Sequence, residues 1–214
     1  MPTSYTPAAA WSALVEGNRR FVTGAMEHPS QGVDHRTELS GAQSPFAVVF
    51  GCSDSRVAAE IIFDRGLGEI FVVRTAGHVV DTTVLGSIEY GVEVLGASLV
   101  VVLGHDSCGA VMAAAEALTT GVMPTGFVRA IVDRVIPSIV TTPDASRPDG
   151  GHLSLPSPEA LGREHLRHTV DMLLSYSAAL STAVAEGRCA VVGVEYTLAQ
   201  GDARAVDVRG AAGA

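Results

Sequence analysis

Two short segments hold the residues best equipped for chemistry, Gly51-Cys-Ser-Asp-Ser-Arg56 and Gly104-His-Asp-Ser-Cys-Gly109. Cys52 and Cys108 offer thiolates and His105 an imidazole, a borderline-soft donor set that suits tetrahedral zinc. Three protein ligands leave a fourth position free for water or substrate, the arrangement of a catalytic zinc rather than a structural one. Asp54 stands two residues from Cys52, close enough for its carboxylate to compete for that position. Arg56, two residues further on, carries a planar guanidinium that can grip the same carboxylate through two nitrogens. Either fragment alone recurs by chance, so the pairing carries the information. The remaining cysteine, Cys189, opens a later apolar run at the wrong edge of the sheet and reads as a small core residue.

Both segments directly follow short runs that are apolar at every position, Phe46-Ala-Val-Val-Phe50 and Leu99-Val-Val-Val-Leu103. Similar runs stand at Ile70-Phe-Val-Val73 and Ala190-Val-Val-Gly-Val194. Fully apolar strands alternating with helical patterns require a parallel sheet covered on both faces. The expected class is therefore α/β: a central, mostly parallel sheet of four strands plus a short edge strand near 205–208, flanked by helices. Ligands of such sheets collect at the carboxyl ends of neighbouring strands. If the first and third strands are adjacent, Cys52 falls beside His105 and Cys108.

The helices follow from periodicity and end signals. Thr6 caps an N-terminal helix and Pro7 suits its first turn. Trp11, Leu14, Asn18 and Phe21 recur on one face, and Gly24 ends it. A polar stretch follows, with a short helix near 35–40. Further helices are expected over 57–63, from Asp81 onward with Val84, Ile88, Val92 and Leu95 on one face, over 109–118 and 127–139, and as one long region over 159–186. The Pro-, Gly- and Ser-rich stretch 141–158 reads as a surface loop rather than a linker, because neither side is a complete unit.

Length and composition bound the function. With 214 residues, 47% of them apolar, the chain can bury the core of one domain and is expected to form a single domain over 1–214. A net charge of −9 argues against nucleic-acid and anionic-membrane partners, which favour basic surfaces. No stretch approaches the ~18 uninterrupted apolar residues of a membrane span, and 1–10 lacks the basic and apolar regions of a signal peptide. Three scattered cysteines fit a reducing compartment, so a cytoplasmic location is expected.

The pairing C-x-D-x-R with H-x-x-C-G, each closing an apolar strand, resembles the signatures of the β-class carbonic anhydrases. Val73-Arg-Thr-Ala-Gly77, Gly86-Ser-Ile-Glu-Tyr90 and Gln43-Ser-Pro45 are similar to that family as well, and the resemblance runs from the N-terminal helix to the last strand. It implies one zinc per subunit, held by Cys52, His105 and Cys108. The implied reaction is reversible hydration of CO2 to bicarbonate and a proton by zinc-bound hydroxide. Asp54 and Arg56 would gate the fourth zinc position, with Asp54 on the metal in a closed form. Gln43 would line the substrate pocket, often from the facing subunit. The resemblance also implies a homodimer or homotetramer in which an N-terminal helical arm, 1–44, packs on a partner subunit. Many members carry Asn where Thr75 and His78 stand. A hydrolase of CS2 or COS would keep the same zinc set, and a non-catalytic zinc or redox-sensing protein could form a disulfide between Cys52 and Cys108. His78 is a candidate proton shuttle because an unperturbed imidazole titrates near neutrality; its alternative is a polar loop histidine.

Overall fold

All the expected strands join one sheet in the computed structural model of the protein, which describes residues 5–142, 145 and 154–213. They are β1 (Ala47–Cys52), β2 (Ile70–Thr75), β3 (Leu99–His105), β4 (Ala190–Tyr196) and β5 (Ala203–Arg209). Their order is β2-β1-β3-β4-β5. The first four run parallel, and β5 closes the far edge antiparallel to β4. The adjacency inferred between the first and third strands is present, with Gly51 opposite Leu103. From β1 the chain goes to one side for β2 and returns to the other for β3, which makes the carboxyl ends of β1 and β3 the switch point where such sheets bind ligands.

Strand alternation assigns two cores. Ala47, Val49, Leu99, Val101, Leu103, Val192 and Val194 face α1 (Pro7–Thr23) and α3 (Ala59–Ile62). Val48, Phe50, Val100, Val102 and Val191 face α4 (Thr82–Glu89), α7 (Pro158–Tyr176) and α8 (Ala178–Ala185). A third cluster joins α5 (Gly109–Thr120) and α6 (Val128–Val140) to Cys52 and Cys108. The short α2 (Val33–Glu38) lies where a helix was expected in the polar stretch. Among the described residues, no helix is long and apolar enough to cross a membrane.

Several local expectations need revision. The 159–186 region is two helices, because Ser177 leaves helical geometry and its Oγ caps α8 by accepting the Leu180 N–H at 3.0 Å. The same hydroxyl donates to Glu89 at 2.6 Å. The helix expected over 57–63 shrinks to a single turn. The helical stretch opened by Asp81 widens into a π-turn over Tyr90–Val94. Most of the 141–158 loop lies outside the described residues.

Thr6 caps α1 and Gly24 ends it in a left-handed conformation, as the residue types require. Ala10, Trp11 and Leu14 of its apolar stripe are buried against the chain's own sheet. Asn18 secures that docking with every polar atom of its amide. Its Nδ2 donates to the carbonyls of Ile62 and Gly201 at 3.1 and 2.8 Å, and its Oδ1 accepts the Ala203 N–H at 3.0 Å. β1, β3 and β4 present an apolar face that α1 covers together with α3.

Candidate metal centre

Cys52 ends β1, His105 ends β3 and Cys108 precedes the first turn of α5. Ser107 takes a left-handed turn (φ 53°), which reverses the chain so that Cys108 returns beside His105. Asp106 pins this turn to the end of β4, donating its N–H to the Tyr196 carbonyl and accepting the Leu198 N–H. The three buried ligand atoms lie within 4.8 Å of one another.

The hydrogen-bond pattern leaves this group able to hold a metal ion. A carbonyl can only accept, so the 2.7 Å contact between His105 Nδ1 and the Asp106 carbonyl places the ring proton on Nδ1. The lone pair of Nε2 then faces the two sulfurs, buried and without a hydrogen-bond partner. An orphaned acceptor costs about 1–3 kcal/mol unless something occupies it. A cation between the three atoms removes that cost.

One of the two sulfurs, Cys52, is biased toward the ionised form that metals need. Cys52 is pulled down to about 4, chiefly by a hydrogen bond from the Cys108 thiol, against the opposing effect of burial. Gly77 adds its backbone N–H, donated to Cys52 Sγ at 3.3 Å. Cys108 moves up because it holds the shared proton and is buried. A divalent cation replacing that proton leaves both sulfurs as thiolates.

Asp54 and Arg56 meet as their spacing implied. Asp54 Oδ1 accepts from the Arg56 backbone N–H and Nε–H, both at 2.9 Å, and Oδ2 accepts from the terminal nitrogen at 2.7 Å. This grip holds the carboxyl well below the usual carboxylate range. Oδ2 still lies only 3.9 Å from His105 Nε2, so the carboxylate sits at the edge of the trio. Gln43 is not brought there by its own chain. It is exposed and precedes β1, whereas Cys52 ends it, roughly 16 Å further along at the rise of an extended strand.

Two contributors escaped the sequence reading. Arg74 on β2 donates to the carbonyls of Cys52 and Asp54 at 3.0 and 2.7 Å, fixing the loop between them. Gly77 adopts φ 65°, and a Cβ there would meet the Ala110 side chain at 2.5 Å. The Gly77→Ala variant should therefore lose about 2–4 kcal/mol of stability from left-handed strain plus overpacking. Denaturant unfolding reads this directly, and a loss below about 0.5 kcal/mol would refute the steric argument.

His78, the candidate shuttle, is buried in the turn that follows β2. It is 2% exposed, and burial lowers its basicity well below the ordinary value. Its ring packs 4.5 Å from that of His165, which is fully buried. Burial drives His165 down to about 4 from an ordinary 6.5. The unfolded chain thus takes up a proton near pH 6.5 that the folded chain refuses until about pH 4. Stability should fall as pH drops through that window, by about 3 kcal/mol from His165 alone. Urea unfolding at a series of pH values checks this. The His165→Gln variant should show a shallower fall, and equal slopes would reject the assignment.

Sheet and site together define an α/β protein with a Cys–His–Cys group that could hold a metal at its switch point. A family model described as carbonic anhydrase matches residues 47–203. "Carbonic anhydrase 2" of Mycobacterium tuberculosis is 55% identical over 203 residues, covering 95% of this chain and 94% of that protein. The "Carbonic anhydrase" of Mycolicibacterium smegmatis is 54% identical over 201 residues, covering 94% and 93%. Among solved structures, a β-carbonic anhydrase of Sordaria macrospora, described as tetrameric, superposes with a TM-score of 0.66 at 25% identity, covering 80% of this chain and 85% of that one. The chain belongs to the β-carbonic anhydrase family.

Proposed function

We propose that this protein is a zinc-dependent carbonic anhydrase, interconverting CO2 with bicarbonate and a proton. The observation that carries the reading is the orphaned His105 Nε2 facing two sulfurs at the sheet's switch point. His105 Nε2 and the two sulfurs would hold zinc. When bound, zinc supplies Lewis acidity that lowers the pKa of a water, though less than in a three-imidazole centre because two thiolates cancel its formal charge.

The remaining roles belong to the chain's own side chains. Arg56 draws the Asp54 carboxylate away from the trio and keeps the fourth position open. Released, Asp54 is close enough to His105 to take that position itself, so the pair acts as the gate, and low pH or bicarbonate favours closure. Gln43 lines the substrate pocket of a facing subunit, since its own chain holds it at the far end of β1. A homodimer or homotetramer in the cytoplasm follows, supported by the tetrameric relative and the free thiols.

Stopped-flow CO2 hydration by zinc-loaded protein, with CS2 and COS as rival substrates, is the deciding measurement. CO2 turnover supports the reading. Turnover of CS2 or COS alone replaces it with a hydrolase, and no turnover with a reversible Cys52–Cys108 disulfide replaces it with a redox sensor. Activity should also rise by roughly tenfold or more between pH 6.5 and 9, a factor of ten per unit of untitrated acid. Equal rates at the two pH values would contradict a two-thiolate centre.

A further inference from the structure

The Cys52 sulfur accepts an N–H from Gly77, and something must hold Gly77. Its left-handed turn, Ala76–His78, joins the end of β2 to the next helix and has little regular structure to stiffen it. The stiffening comes from a distant element. His165, near the middle of α7, has no exposed surface and uses both ring nitrogens. Nε2 lies 2.8 Å from the Gly77 carbonyl, and Nδ1 lies 3.0 Å from Ser138 Oγ on α6.

The chemistry of these partners fixes the tautomer. A carbonyl only accepts, so Nε2 carries the hydrogen and donates it to Gly77. Nδ1 is then an acceptor beside Ser138 Oγ, whose single proton is shared with the Val135 carbonyl 2.7 Å away. A fully buried imidazole packed between α6 and the turn has little room to rotate, so its Nε2–H clamps the Gly77 carbonyl. That carbonyl and the Gly77 N–H flank one Cα, and fixing one directs the other onto Cys52 Sγ at 3.3 Å. A mere core residue at this position would be served better by Leu, which carries no polar atoms to satisfy.

We propose that His165 is a positioning residue for the metal centre: by clamping the Gly77 carbonyl, it aims the Gly77 N–H at the Cys52 sulfur and so sets the geometry of that ligand. The inference rests on Cys52 being a zinc ligand. Its consequence is confined to the sulfur. Without the clamp the N–H···S bond loosens, the thiolate lone pairs rise in energy, and a preorganised donor becomes a mobile one.

The test uses purified full-length protein loaded with zinc, and in parallel with Co(II), whose sulfur-to-metal absorption reports on the thiolates. His165→Phe keeps a ring of similar shape and removes the donor. His165→Gln restores a donor near the Nε2 position. In His165→Phe, zinc transfer to a chelator should speed up about tenfold, the low end of losses seen when a ligand's supporting shell is broken. Its cobalt–sulfur band should move to longer wavelength. His165→Gln should return both values to within about threefold of wild type, which a purely structural role would not explain. Unchanged chelator kinetics and spectrum in a folded His165→Phe overturn the proposal. If that variant does not fold, His165→Leu serves, since it fills the same buried space without a donor to the Gly77 carbonyl. It should shift the same readouts in the same direction, and its failure to do so equally overturns the proposal. Wild-type protein that holds neither zinc nor cobalt at one per chain would instead defeat the zinc reading itself.

Discussion

Arg56→Ala should lose activity on the order of 10²-fold while keeping its zinc, the scale expected when one charged group that shapes a site is removed. Arg56 holds little else in place besides Asp54. Its side chain is 55% exposed, so its pairing with Asp54 contributes little to folding. Thermal stability should be unchanged within a degree or two. What changes is the company of the Asp54 carboxylate, which loses its two side-chain hydrogen bonds from Arg56 and keeps only the backbone N–H. One oxygen already sits 3.9 Å from His105 Nε2, so a small rotation carries a free carboxylate into the fourth position. Arg56→Lys should recover only part of the loss, because a point charge cannot make the two-pronged grip. Zinc content by elemental analysis alongside CO2 hydration rates gives the result. Full activity in Arg56→Ala would remove Asp54 from any gating role.

Cys108→Ala should release the metal altogether. Three donors leave no redundancy, and losing one thiolate costs on the order of 4 kcal/mol of binding, about 10³-fold in Kd. Zinc should fall from one per chain to a trace, and hydration with it. The fold should survive, since Cys108 caps no helix through its side chain and alanine is tolerated there. Cys189→Ala provides the contrast. That thiol is buried on the far edge of the sheet, donates to the Ala190 carbonyl, and is pushed up to about 12 by burial. Its loss should leave zinc and activity intact. Stoichiometric zinc in Cys108→Ala, or zinc loss in Cys189→Ala, would reverse the assignment of the three cysteines.

Much of this centre was legible because its parts are local. The strand that precedes each motif announces itself by unbroken apolarity, and spacing alone places Asp54 between Cys52 and Arg56. Strand order was harder, since only an inference set β1 beside β3. The supporting groups were not legible, because each acts across a long sequence gap. Arg74 reaches back 20 and 22 residues to two carbonyls, and His165 reaches 88 to Gly77. Arg74 sits inside the family-like segment Val73–Gly77, but that segment does not say what the side chain holds, and a histidine in a helix full of charged neighbours looks solvated until α6 and the Gly77 turn cover it. Ser177 had a readable signal, a capping serine ahead of an apolar run, but the helical period on both sides masked the break. The stripe on α1 was visible, yet a stripe does not say which surface it will meet.

The docking of α1 by Asn18 sets a timetable for synthesis. The Gly201 carbonyl that holds the helix lies 183 residues after Asn18. At about 5–20 residues per second, the ribosome needs roughly 10–40 s to supply it. Throughout that interval Trp11 and Leu14 lack the finished sheet they finally cover. The nascent chain is therefore obliged to carry an uncovered apolar helix until its last strands emerge, and a message broken before codon 201 would yield a product whose first helix never finds its anchor.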